Sequence, residues 1–142
     1  MDNFSFKCYD IDEKEIPIPP GLPQSIIARL IELCNVKFDL REDELYNVKY
    51  PVLIGKEENL KEAKKYLNLI TEAKLALRDI AKLARKFKVK AKIYTDDEDL
   101  KYILDILKND IANKDYIEIV EEMPEGDKEV IEIGDKKVYV GL

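Results

Sequence analysis

Between Glu57 and Lys88 apolar positions recur without a break. Ala63, Tyr66, Ile70, Ala73, Leu77, Ile80, Ala84 and Phe87 follow one another at alternating spacings of three and four. That heptad seam predicts one helix across the whole stretch. Neither Gly nor Pro interrupts it. Glu57 and Glu58 open it and Arg85, Lys86 and Lys88 close it, the arrangement that suits the helix dipole. Leu69, Ala76 and Leu83 widen the seam on one side, whereas Leu67 and Leu75 fall on the polar side. At about 1.5 Å per residue the helix would run roughly 48 Å. A compact chain of this size is only about 37 Å across. Asn68–Thr71 holds poor helix formers, but the seam crosses it in register, so a continuous helix is expected. The overhang suggests self-association, a homodimer joined through this helix with Leu67 and Leu75 as contacts. The competing expectation is that the whole seam is the chain's own core.

The rest of the chain reads as shorter elements. Asn3–Ile11 alternates as a half-buried strand. Ile16–Pro23 holds four prolines and must be a stiff connection. A helix runs from Pro23 or Gln24 to about Asn35, apolar around most of its surface. Val36–Leu40 is a short strand, Arg41–Asn47 a charged turn or one helical turn, and Val48–Gly55 a strand that Pro51 assigns to an edge, a bulge or Val52–Ile54 alone. After the long helix, Val89–Thr95 alternates as a strand. Thr95 and Glu98 form a capping box that opens a helix over Asp96–Asn113. Lys114–Glu122 is a strand, and Glu129–Ile133 and Lys137–Val140 flank Gly134–Asp135–Lys136 as a terminal hairpin. Alternating strands and helices predict a single α/β domain over residues 1–142, with a mixed, partly parallel sheet, three helices (one of them long) and a C-terminal β-hairpin.

Composition sharpens this reading. Hydrophobic residues make up 46% of the chain, enough for a core, and charged residues 38%, above the usual quarter. Interspersed Lys and Glu, with one Gln, give the texture of proteins from heat-loving microbes. A net charge of −6 argues against general affinity for nucleic acid or membranes. No apolar run reaches membrane-span length and the N-terminus lacks a signal-peptide pattern, so a cytoplasmic location is expected. Cys8 and Cys34 are read as reduced thiols packed as small apolar groups.

Candidate chemistry is sparse. The chain has no His, which removes Ser-His-Asp and Cys-His catalysis and His-based zinc sites. It has no glycine-rich phosphate motif; the Gly55–Lys56 turn before the long helix is a weak anion-site candidate. Asp96, Asp97 and Asp99 suit a helix's first turn better than a Mg²⁺ site. No metal and no cofactor is expected.

The charge distribution is more informative. Lys74–Lys92 holds eight basic residues against one acid, Asp79, a local charge of +7; the remainder then carries −13. Lys74, Arg78, Lys82 and Lys86 recur every four residues along one helix side, with Arg85 beside them. They are the candidate surface for an anion or an acidic protein partner. The bland alternative is a solvated face balanced by the chain's own acids, Asp96–Asp99 among them. No aromatics interleave the cations, which argues against nucleic acid. The sequence points to a non-enzymatic protein acting by self-association or protein–protein interaction. Anion or nucleic-acid binding through residues 74–92 is the alternative, and a carboxylate- or Lys-based enzyme comes third.

Overall fold

The computed structural model describes residues 12–142. The strand expected at Asn3–Ile11, and Cys8 with it, lie outside the described residues. The chain divides into two compact units, Met1–Tyr66 and Leu67–Leu142.

In the first unit, β1 (Glu13–Pro17), β2 (Lys37–Asp43) and β3 (Val48–Lys56) form an antiparallel sheet in the order β1-β3-β2. Helix α1 (Gln24–Cys34) lies between β1 and β2 in sequence. Although α1 is apolar around most of its surface, it buries only one stripe, Ile26, Leu30 and Cys34, and leaves Leu33 exposed. The i, i+4 spacing of that stripe places it on a single face. Asn35 ends the helix in the left-handed conformation, φ 53°, and its N–H donates to the Ile31 carbonyl.

Arg41–Asp43, expected in a turn, belong to β2, which pairs with β3 along its whole length. Pro51 sits inside the central strand, opposite Leu40. In an antiparallel ladder a residue turns its N–H and C=O toward the same neighbour. The Pro51 carbonyl accepts from Ile18 N–H at 3.0 Å, beyond the last β1–β3 pair, Pro17↔Val52. The missing donor therefore falls on the β1 side, past the end of that ladder, and the β2 ladder stays intact.

Helix α2 (Glu57–Phe87) is continuous. It starts in the first unit, and its residues from Leu67 onward belong to the second. Thr71, in the stretch of poor helix formers, donates its hydroxyl to the Leu67 carbonyl at 3.0 Å.

The second unit contains a mixed sheet of β4 (Ala91–Tyr94), β5 (Ile117–Ile119), β6 (Lys128–Ile133) and β7 (Lys136–Gly141), in the order β5-β4-β7-β6. β4 and β5 are parallel; β7 runs antiparallel to β4 and β6. Helix α3 (Glu98–Lys108) connects the parallel pair and buries Leu100, Ile103, Leu104 and Leu107. The α/β class, three helices and C-terminal hairpin are thus present, while the expected capping box is corrected. Asp97 is the N-cap and its Oδ1 accepts from Leu100 N–H at 2.9 Å. Thr95 is buried; its hydroxyl donates to the Lys137 carbonyl, tying β4 to β7, and accepts from Asp97 N–H. Among the described residues no helix is long and apolar enough to cross a membrane.

Candidate functional site

The exposed side of α2 in the second unit carries the basic residues singled out by the sequence. Arg78, Lys82, Arg85 and Lys86 are exposed and Lys74 is half-buried. Among the described residues, none of Lys74, Arg78, Lys82 and Lys86 forms an ion pair. Arg85 donates to Asn113 Oδ1 at 3.3 Å. Of the acids expected as internal counterions, Asp97 accepts from Lys136 Nζ at 2.6 Å.

A second row runs beside the first. Leu75, Asp79, Leu83 and Phe87 also recur every four residues, and all four are exposed. Residues three and four apart are surface neighbours on a helix. Leu75 therefore lies by Arg78, Asp79 by Lys82, and Leu83 by Lys86. Lys86 Nζ is 5.9 Å from the centroid of the Phe87 ring, a cation–π distance. Asp79, Lys82, Leu83, Arg85 and Lys86 border an open concavity of ≈ 700 Å³. The surface is thus both cationic and apolar.

Two expectations about this helix need correction. Phe87, placed in the buried seam, is 60% exposed, and Leu83 also faces water. An α-helix drifts about 20° per heptad against a strict seven-residue repeat. From Tyr66 to Phe87 that drift carries the seam off the buried side. Leu67, proposed as a self-association contact, is only 7% exposed and has no surface to offer; Leu75, at 51%, does. Leu60, Leu67 and Ala81 occupy one heptad position and are all buried, with Lys74 half-buried between them. That repeat was the signal by which Leu67 belonged to the core.

The weaker candidates resolve differently. β3 runs directly into α2 at Glu57, with no phosphate-cradling loop at Gly55–Lys56. A Cβ on Gly55 would lie 3.1 Å from Val36 Cγ1, so close packing accounts for that glycine. Lys14 Nζ donates to Glu57 Oε1 at 2.6 Å, and this hydrogen bond holds the Glu57 carboxyl below its usual range. In the second unit an open cleft of ≈ 620 Å³ mixes Lys90 and Lys92 with Glu121, Glu122 and Glu125. Lys101 engages Glu121. Among the described residues no group of three or more Cys, Asp or Glu side chains is placed to hold a metal ion.

Comparison with known proteins adds kinship. A protein of Methanocaldococcus jannaschii, described as "Uncharacterized protein MJ0093", is 89% identical over 142 residues, covering 100% of both chains. No solved structure matches the chain. The model of the family described as "Uncharacterized protein MJ0093 family" matches residues 13–140, nearly the whole length, and the chain belongs to that family.

Proposed function

We propose that this protein works by association rather than catalysis, docking an acidic, amphipathic protein segment on the exposed side of α2. The observation that carries this reading is the pairing of two rows. Lys74, Arg78, Lys82 and Lys86 lack carboxylate partners among the described residues, and Leu75, Leu83 and Phe87 lie exposed beside them. A helix with leucines at i, i+4 and i+8, flanked by Glu or Asp, would cover the apolar row and neutralise the basic one. A phosphate backbone would satisfy only the cations and leave the leucines in water. The compartment that goes with this reading is the cytoplasm.

A second reading, polyanion binding, draws on the same cations and on the exposed Phe87 ring. Titration of the full chain with a labelled Glu/Leu amphipathic peptide separates the two. The peptide should bind, and Lys82→Glu with Lys86→Glu should weaken it at least tenfold. Leu83→Ser should weaken the peptide but leave heparin retention unchanged. An absence of peptide binding, or a peptide indifferent to Leu83→Ser, would defeat the docking reading.

A further inference from the structure

β2 and β3 run on together past the end of β1. The β1–β3 ladder stops at Pro17↔Val52, while the β2–β3 ladder continues through Arg41↔Tyr50, Glu42↔Lys49 and Asp43↔Val48. Residues 44–47 close the two strands as a turn, with Asn47 in the left-handed conformation at φ 53°. Among the described residues this is a two-stranded arm with no third strand beside it. Such a ribbon is marginal in water unless something packs on it. Its tip carries Leu45 and Tyr46, 80% and 72% exposed, more than any other large apolar side chain among the described residues. Val48 and Tyr50 are exposed too and share one face of the arm, because they are two apart. The tip is nevertheless ordered: Asp43 Oδ1 accepts from the N–H groups of Leu45 and Tyr46 at 2.9 and 3.4 Å.

The arm is acidic where it is most apolar. Glu42, Asp43 and Glu44 are consecutive and adjoin Leu45 and Tyr46. Glu42 and Glu44 are exposed and form no ion pair among the described residues. The α2 surface is built the opposite way, with Lys82 and Lys86 lacking carboxylate partners beside exposed Leu83 and Phe87. Arm and surface each leave apolar groups in water, a state that association relieves. Their charges are of opposite sign.

We infer that the α2 surface takes the β2–β3 arm of a second copy of this chain. The inference rests on the docking function proposed above and names the segment that docks. Leu45 and Tyr46 of one copy cover Leu83 and Phe87 of the other, and Glu42 and Glu44 come within reach of Lys82 and Lys86. The sizes agree: the row from Leu75 to Phe87 is about 18 Å long, and three strand pairs with their turn span on the order of 15 Å. A tip already held by Asp43 loses little freedom on docking. Opposite potentials favour this partner, whereas α2 against α2 would set lysine against lysine and arm against arm would set glutamate against glutamate. Every copy carries both halves of the contact, so two copies can exchange arms and close a dimer, or pass them on head to tail.

The test is a mixing experiment on full chains, read as solution mass by light scattering. Wild type at high micromolar concentration should exceed the mass of a single chain. One variant carries Glu42→Lys with Glu44→Lys, the other Lys82→Glu with Lys86→Glu. Each alone sets like charges against each other and should run as a monomer. Mixed, they offer opposite charges in both directions and should associate again. The Glu/Leu amphipathic peptide supplies a competition that uses the wild type, so it decides even where a variant misfolds. It occupies the α2 surface and should return the wild type to the mass of a single chain. It should also bind the Glu42→Lys, Glu44→Lys variant, whose α2 surface is intact. A monomeric wild type, a mixture that stays monomeric, or a peptide that binds without dispersing the wild type would overturn the inference. Peptide binding in those cases would leave the docking function standing, and its absence would remove both.

Discussion

Lys136 Nζ lies 2.6 Å from Asp97 Oδ2, joining the N-cap of α3 to the first residue of β7. Burial alone would raise the Asp97 carboxyl. The hydrogen bond from Lys136 and that from Leu100 N–H outweigh it, and the net result is a pKa below the ordinary 3.8. The Lys136 ammonium is raised above 10.5, first by its hydrogen bond to Asp97.

A depressed carboxylate contributes stability that is present above its unfolded pKa and lost as pH falls through its folded value. A raised ammonium contributes stability that is present below its unfolded pKa and lost as pH rises through its folded value. The pair therefore acts fully between 3.8 and 10.5. Lys136→Met should lower the melting temperature by a constant amount from about pH 5 to pH 9, and the difference should shrink below about pH 3. A difference that persists unchanged in acid would show that lost packing, not the pair, is responsible. Asp97→Ala also removes a cap and should cost about 1–2 kcal/mol.

The β6–β7 turn depends on Gly134. Only two residues separate Ile133 from Lys136, and Gly134 has φ +63°. Its N–H donates to Glu72 Oε2 at 2.6 Å, and a Cβ there would stand 3.0 Å from Leu69 Cδ1. Gly134→Ala combines an unfavourable backbone conformation with that close approach and should cost about 1–3 kcal/mol. Urea unfolding measures it. Asp135→Ala, next to it, should fall within about 0.5 kcal/mol of wild type.

Leu77 is 1% exposed near the middle of the buried side of α2. Leu77→Asp places a carboxylate without a partner in that core, a cost of several kcal/mol against a total stability of about 5–15 kcal/mol. The variant should be unfolded or melt far below wild type. A melting temperature within a few degrees of wild type would remove Leu77 from the core.

How far the chain could be read depended on which force decided each position. The α2 helix was legible because its propensities, end charges and apolar repeat agree, and Leu77, Ala73 and Ile70 are buried as the repeat requires. The later part of the seam was not, because a strict heptad frame ignores the drift that exposes Phe87. Pro51 by residue type argues against a central strand, and pairing alone reveals that its missing N–H faces a side where β1 has ended. Thr95 looked like an N-cap from its spacing to Glu98, yet its hydroxyl is taken by the Lys137 carbonyl, a partner 42 residues away. The basic row was evident from charge spacing alone. Its apolar companion row was not, because only folding decides that Leu83 and Phe87 turn outward.

The proposed ligand of the α2 surface is an acidic amphipathic protein segment rather than a polyanion. Competition at physiological salt tests it directly: a labelled Glu/Leu amphipathic peptide is bound to the full chain, and duplex DNA is added. Counterion release makes duplex binding through four cations fall steeply with salt, with a slope of log affinity against log salt of about −3.6. Contact with Leu75, Leu83 and Phe87 would keep peptide affinity less dependent on salt. The expected result is that the peptide stays bound in excess duplex DNA, and that its own salt slope is shallower than the duplex value. Displacement of the peptide by duplex DNA at physiological salt, or a peptide slope as steep as the duplex one, would show that the surface binds polyanions instead.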